Sequence, residues 1–196
     1  MLVFWDQRLV FLATPKAGST AIAAALEPLA ALSVQRPAVL KHTNVQAFSS
    51  HVAPFLAAAA GESFATVALI RHPKAWLGSW YRNRLRDGAD RSTQGISFDD
   101  FVQGWCADVP PSFADVGTQA AFLQPGPQGQ WLDRLFRYEE IAGFVDYLED
   151  RLAFEIILPH LNVSPPGDLA LSTRTEALLS QRASADFALY EALRPA

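Results

Sequence analysis

The feature that most constrains this chain of 196 residues is a pattern that occurs twice: a short apolar run ends in a turn carrying a cation, and a helix begins at once. In the first copy Leu9–Ala13 runs into Thr14-Pro15-Lys16-Ala17-Gly18, and an alanine-rich stretch, Ser19–Leu32, reads as the helix. In the second, Phe64–Ile70 runs into Arg71-His72. Pro73 then opens a helix reaching about Arg86, at a first turn where its missing N–H costs nothing. Strands that alternate with helices in this way favour a mainly parallel sheet covered on both faces. The expected class is α/β.

The remaining segments extend the same reading. Leu2–Trp5 is expected to pair with Leu9–Ala13 across Asp6-Gln7, Val39–Lys41 to form a short buried strand and Arg134–Tyr138 the last one. Further helices are expected over Val45–Ala60, with Thr43 or Asn44 as N-cap and Gly61 as stop, and from Phe98 behind a Ser97 cap. Two more are expected over Glu139–Ala153 and Thr175–Leu193, whereas Asp87–Gly95 and most of residues 107–130 read as loop. No internal repeat or Gly/Ser-rich linker divides the chain, so residues 1–196 read as one domain.

Charge and cysteine content narrow the function classes. The net charge of −4 hides an asymmetry: residues 1–91 carry 10 Lys+Arg against 5 Asp+Glu, and residues 92–196 carry 6 against 15. Arg71, Lys74, Arg82, Arg84, Arg86 and Arg91 cluster within 21 positions, which reads either as a solvated helix face or as a site for a polyanion. An acidic chain without an extended basic footprint is not expected to bind nucleic acid. The single cysteine, Cys106, allows no intrachain disulfide and fits a reducing compartment. Apolar runs such as Val52–Ala60 are too short to span a bilayer, and Leu9–Ala13 is too short for a signal peptide. The expectation is a cytoplasmic protein with no integral membrane segment.

Two constellations carry chemistry. In Pro15-Lys16-Ala17-Gly18-Ser19-Thr20 the glycine permits a tight turn, the helix start offers free N–H groups, two hydroxyls add donors and Lys16 adds a mobile charge. Those are the parts of a phosphate cradle, although an ordinary turn before a capped helix has the same look. The spacing is not G-x-x-x-x-G-K-[ST], because the lysine precedes the glycine. With three lysines against thirteen arginines, Lys16 and Lys41 stand out as compact, flexible cations. In the second constellation Arg71 sits where a strand ends, with Pro73 two and Ser79 eight residues on. Ligands of open α/β sheets bind at such strand ends. Arg71 and Ser79 can grip one phosphate from two sides, or serve as a surface ion pair and a small packing residue between Trp76 and Trp80.

Together, and in this order, the two constellations resemble the sulfotransferase family that uses 3′-phosphoadenosine 5′-phosphosulfate (PAPS) as donor. The loop Pro15–Thr20 looks like the family's 5′-phosphosulfate loop, and Arg71, Pro73 and Ser79 match its R-x-P-x-x-x-x-x-S motif for the 3′-phosphate. Arg137-Tyr138-Glu139-Glu140, Leu161–Ser164 and Asp186–Tyr190 resemble later segments of carbohydrate-type and related bacterial members. The resemblance implies a P-loop-like three-layer fold with a central, mainly parallel sheet flanked by helices. It also implies that Pro15, Lys16, Ala17, Gly18, Ser19 and Thr20 hold the 5′ end of the donor and that Arg71 and Ser79 hold its 3′-phosphate. Ala21 departs from the pattern, since many members place an aromatic there to stack on adenine.

Sulfuryl transfer needs a base for the acceptor's hydroxyl proton. Among the four histidines, His42 follows Lys41 at the end of an expected strand and matches the family's catalytic histidine; Lys41 beside it is a charge that can steady an oxyanion. His51, His72 and His160 read as structural or surface residues, Asp99-Asp100 as first-turn acids and Cys106 as a small buried residue. No cluster has metal-ligand spacing, so no metal is expected. A sugar, a lipid headgroup and a phenol are all compatible as acceptor, and the resemblance leans toward a carbohydrate or other alcohol; Phe101, Trp105, Phe113, Phe122 and Gln119 are expected to supply a lid or acceptor wall. The competing readings are a small-molecule kinase using ATP and Mg²⁺, and a nucleotide-binding protein that has lost catalysis.

Overall fold

A computed structural model describes residues 1–86, 88, 91–126, 129, 131–159 and 168–193. In chain order its elements are β1 (Leu2–Phe4), β2 (Leu9–Leu12), α1 (Ser19–Leu26), β3 (Leu32–Ser33), α2 (Ala38–Lys41), α3 (Val45–Ala47), α4 (Ala53–Ala60) and β4 (Ala65–Ile70). They continue with α5 (Pro73–Arg84), α6 (Phe98–Cys106), α7 (Gln119–Leu123), β5 (Arg134–Arg137), α8 (Ile141–Leu152), α9 (Thr173–Arg182) and α10 (Ser184–Ala192). The chain divides into two compact units, one of Met1–Ile70, Gln119–Asn162 and Leu193–Ala196, the other of Arg71–Thr118 and Val163–Ala192.

The first unit holds a five-stranded sheet in the order β3-β1-β2-β4-β5. The four residues between β1 and β2 are too few for a crossover, so these strands pair antiparallel, Leu2 opposite Phe11 and Phe4 opposite Leu9. β3 adds antiparallel to β1, while β2, β4 and β5 run parallel, with Leu12 opposite Ala68 and Ile70 opposite Arg137. The fold is thus α/β with a mixed sheet flanked by helices, and only half of its strand pairings are parallel, fewer than the alternation of strands and helices implies. Consecutive residues of β1, β2 and most of β4 are buried, so both faces of the sheet are covered. Leu2, Phe4, Phe11, Ile22, Leu26, Leu69, Phe144 and Leu148 form the core, with the Phe11 and Phe144 rings 5.6 Å apart. Asp133 pins β5 to β4 by accepting from both Thr66 N (2.8 Å) and Thr66 Oγ1 (2.9 Å).

Three elements differ from the sequence reading. Val39–Lys41 is not a buried strand: Pro37 caps the short helix α2 there, and the sheet's outer strand is Leu32–Ser33 instead. A four-residue apolar run is ambiguous between the two periodicities, and Val39 tips it wrongly toward strand. The helix opened by Ser19 ends at Leu26 and gives way to a 3-10 turn over Glu27–Leu29, because Pro28 lacks the N–H an α-helix needs. The terminal helix is two, broken at Ala183. Val45–Ala60 is helical as expected, with a π-helical stretch over Phe48–Val52, Asn44 Oδ1 accepting from Ala47 N at one end and Gly61 closing the other. Leu161–Ser164 and His160 lie outside the described residues. Among the described residues no helix is long and apolar enough to cross a membrane.

The second unit is helical, with Trp76, Leu77 and Tyr81 of α5 packed among Phe98, Phe101, Val102, Trp105, Leu179 and Ala183. Phe101 and Trp105 therefore belong to a core and not to an acceptor wall; Trp105 Nε1 donates to Gly117 O at 2.8 Å. Ser97 caps α6, and Asp99 accepts from Ser172 N at 2.8 Å, tying the starts of α6 and α9 together. Arg84, one of the clustered cations, is 7% exposed, lies over the Trp80 ring and donates to the carbonyls of Ser112, Phe113 and Asp115. It is a structural fork, not a surface charge. Replacing Arg84 with Lys keeps the charge but cannot reach three carbonyls, so stability is expected to fall by about 2 kcal/mol or more. Urea denaturation measures this, and an unchanged midpoint would contradict the role.

Candidate functional site

The loop after β2 is built for a backbone that turns twice. Lys16 (φ 61°) and Gly18 (φ 77°) are left-handed on either side of Ala17, whose φ is negative. Alternating hand in successive residues turns their N–H groups toward one side and forms a concavity suited to an anion. Ala17 is buried and anchors the turn. Gly18 is required twice over: its φ is costly for any other residue, and a Cβ there would sit 2.6 Å from the Tyr138 ring. The first backbone bond of α1 runs from Ile22 N to Gly18 O, so the N–H groups of Ser19, Thr20 and Ala21 come before the helix's own ladder. Gly18 has no side chain to cap them, and no acidic residue lies in the first turn. Ser19 is buried and Thr20 exposed. Thr14, 1% exposed, has an Oγ1 with no hydrogen-bond partner among the described residues.

His42 joins this loop. It closes α2, its own N–H donating to Ala38 O at 2.9 Å, and its ring Nδ1 lies 2.6 Å from Ala13 O. A carbonyl only accepts, so Nδ1 carries the proton and the neutral ring presents an unprotonated Nε2. Burial is the main cause that lowers the His42 pKa from its ordinary 6.5, opposed by the Ala13 bond and reinforced by the charges of Lys41, the Met1 ammonium and Lys16. Burial also lowers the pKa of that ammonium to about 6, with help from Lys41, and it donates to Lys41 O at 2.9 Å. Lys16, Lys41 and His42 thus form one electrostatic group around the loop.

β2 and β4 are parallel neighbours, so the chain leaves both at the same edge of the sheet. Arg71 directly follows β4, and it and Ser79 belong to the second unit. There Arg71 is half-buried, His72 caps α5 and sits edge-on to Phe187 (5.6 Å) and Tyr190 (5.4 Å), Pro73 is the first helical residue and Ser79 is buried two turns in. Lys74, the third lysine, pairs with Glu176 at 3.0 Å. Trp76 and Tyr81 are core residues, which leaves neither free to stack on a base. Gln119 is 1% exposed at the start of α7, enclosed where the sequence reading had it meeting a substrate. Among the described residues no three His, Cys, Asp or Glu are grouped to hold a metal ion.

Sequence reasoning missed three participants. The Ala13 carbonyl is invisible to it, because any residue has one. Tyr138 follows β5 with nothing in its spacing to assign it to the loop, and Thr14 differs from an ordinary strand-end threonine only in its burial. No family model, curated protein or solved structure matches the chain.

NMR titration of His42 checks the electrostatics of the group. The midpoint is expected below 6.5 and should rise in Lys41→Ala and in Lys16→Ala, since each removes a positive charge that disfavours the imidazolium. A midpoint above 6.5, or one indifferent to both substitutions, would contradict the arrangement.

Proposed function

We propose that the chain is a sulfotransferase that moves a sulfuryl group from PAPS to a hydroxyl acceptor. The observation that carries this reading is the Nδ1–H to Ala13 O bond of His42. It joins a neutral imidazole to the first residue ahead of an anion-suited loop. A nucleotide-binding protein can share such a loop, but an imidazole held there in the basic tautomer serves the deprotonation of an alcohol; against a kinase stands the spacing, in which the lysine precedes the glycine and G-x-x-x-x-G-K-[ST] is absent.

In the proposed reaction the acceptor oxygen attacks sulfur opposite the phosphate. The new S–O bond forms as the S–O bond to the 5′-phosphate breaks, and the acceptor proton passes to His42 Nε2. The lowered pKa keeps that nitrogen unprotonated at neutral pH. Lys16 and the N–H groups at the start of α1 balance the charge that grows on the departing phosphate, and Lys41 adds to the same field. Ser19 and Thr20 hold the 5′-phosphate. Arg71 and Ser79 hold the 3′-phosphate, an assignment that rests on the R-x-P-x-x-x-x-x-S spacing. The P-loop-like character of the fold and the nucleotide specificity belong to this proposal. The sulfonate end of the donor carries a single negative charge, so cations of the chain can supply the stabilisation.

Isothermal titration with adenosine 3′,5′-bisphosphate, the desulfated donor, tests the reading. Binding is expected in the micromolar range and should weaken about 10- to 100-fold in Lys16→Ala and in Arg71→Ala, the loss of a charge-assisted hydrogen bond. His42→Ala should bind within a few-fold of the parent. Absence of binding, or preference for ATP with Mg²⁺, would overturn it in favour of the silent or kinase readings.

A further inference from the structure

The residues just ahead of His42 form an unusual surface. Pro37, Ala38, Val39 and Leu40 are four consecutive apolar residues, and all are exposed, Val39 by 75% and Leu40 by 51%. A run of this kind on a surface is a liability unless it meets something. It does not stem from a loose backbone: Leu40 N and Lys41 N both donate to Pro37 O at 3.0 Å, and Thr43 Oγ1 donates to Leu40 O at 2.7 Å. Because His42 N bonds Ala38 O, Val39 and His42 are three apart on one helical turn, which places their Cβ atoms about 5–6 Å apart. The exposed side chain of Val39 is therefore one helical turn from His42.

The polar side chains nearest to this run flank it and do not interrupt it: Arg36 precedes it and Lys41 follows it. Residues 37–40 carry no polar side chain. Thr43 donates its hydroxyl to Leu40 O, and the Asn44 side-chain oxygen caps α3 by accepting from Ala47 N at 2.7 Å. A carbohydrate presents a ring of hydroxyls that need such partners, and each left unmatched on binding costs about 1–3 kcal/mol. An acceptor with a hydrocarbon body and one hydroxyl needs none beyond the base.

We infer that the acceptor is an apolar alcohol or phenol, its hydrocarbon body lying on Val39 and Leu40 and its hydroxyl at His42. This rests on the sulfotransferase reading and narrows it, away from the carbohydrate toward which the family resemblance leans. Apolar contact of this size raises affinity for the body of the acceptor without touching the donor.

The test compares 4-butylphenol with methyl β-glucoside as acceptors, using PAPS and the full chain, with titration of adenosine 3′,5′-bisphosphate in parallel. Sulfation of 4-butylphenol at a kcat/KM at least 10-fold above that of the glucoside is expected. In Val39→Ser and Leu40→Ser, both at exposed positions, KM for the phenol should rise about 3- to 10-fold, while kcat and bisphosphate affinity stay as in the parent. If bisphosphate binds but the glucoside is preferred, if neither acceptor is sulfated, or if both serine variants keep the parent KM, the acceptor class is wrong and the donor reading stands. If bisphosphate does not bind, the sulfotransferase reading fails and the inference with it. Sedimentation velocity adds a further arm: a dimer that Val39→Ser dissolves would assign the patch to a second copy of the chain and overturn the inference.

Discussion

A single hydrogen bond, His42 Nδ1 to Ala13 O, organises the candidate site of the first unit. It fixes the end of α2 against the end of β2, selects the imidazole tautomer and brings the Lys41 charge into the same field as Lys16. α2 is only four residues long, and it is held by this bond together with the Met1 ammonium, which donates to Lys41 O at 2.9 Å. The loop it touches depends on its own constraint, the left-handed pair Lys16 and Gly18, with Tyr138 packed so close that no side chain fits at position 18.

Beneath the site, the sheet supplies rigidity. β2 and β4, parallel and buried, carry the loop and the start of the Arg71 segment away from one edge, while Phe11 and Leu69 hold their undersides to Phe144 and Leu148 of α8. The Thr66–Asp133 bonds fix where β5 begins, and β5 in turn delivers Tyr138 to Gly18. Register errors in β5 would therefore be felt at the loop that carries Lys16 and Gly18. The second unit achieves its order differently, through an aromatic core around α5 and α6 and through the fork of Arg84.

How much of this was legible beforehand depends on the physics involved. The strand–turn–helix pair, the Asn44 and Gly61 caps and the Ser97 cap are local, so the sequence discloses them. His42 stands out in the sequence by residue type and by its place after an expected strand; that strand is a helix, and His42 reaches the loop through a backbone carbonyl. A run as short as Ala38–Lys41 has no periodicity to read, and its exposure is decided by what the rest of the chain leaves uncovered. The same limit explains Phe101, Trp105 and Gln119, whose chemistry suits a binding wall but whose burial places them in packed interiors. Arg84 looked like one cation of a cluster because charge is visible in a sequence and three carbonyls of a distant loop are not.

The most direct test of His42 and its loop as a catalytic centre is single-turnover transfer of ³⁵S from labelled PAPS to a panel of hydroxyl acceptors. Label is expected to move to an acceptor with the parent chain. In His42→Ala the transfer rate should fall by about 100-fold or more, the usual worth of a general base. Transfer at an undiminished rate without His42, or none with the parent chain, would contradict the assignment.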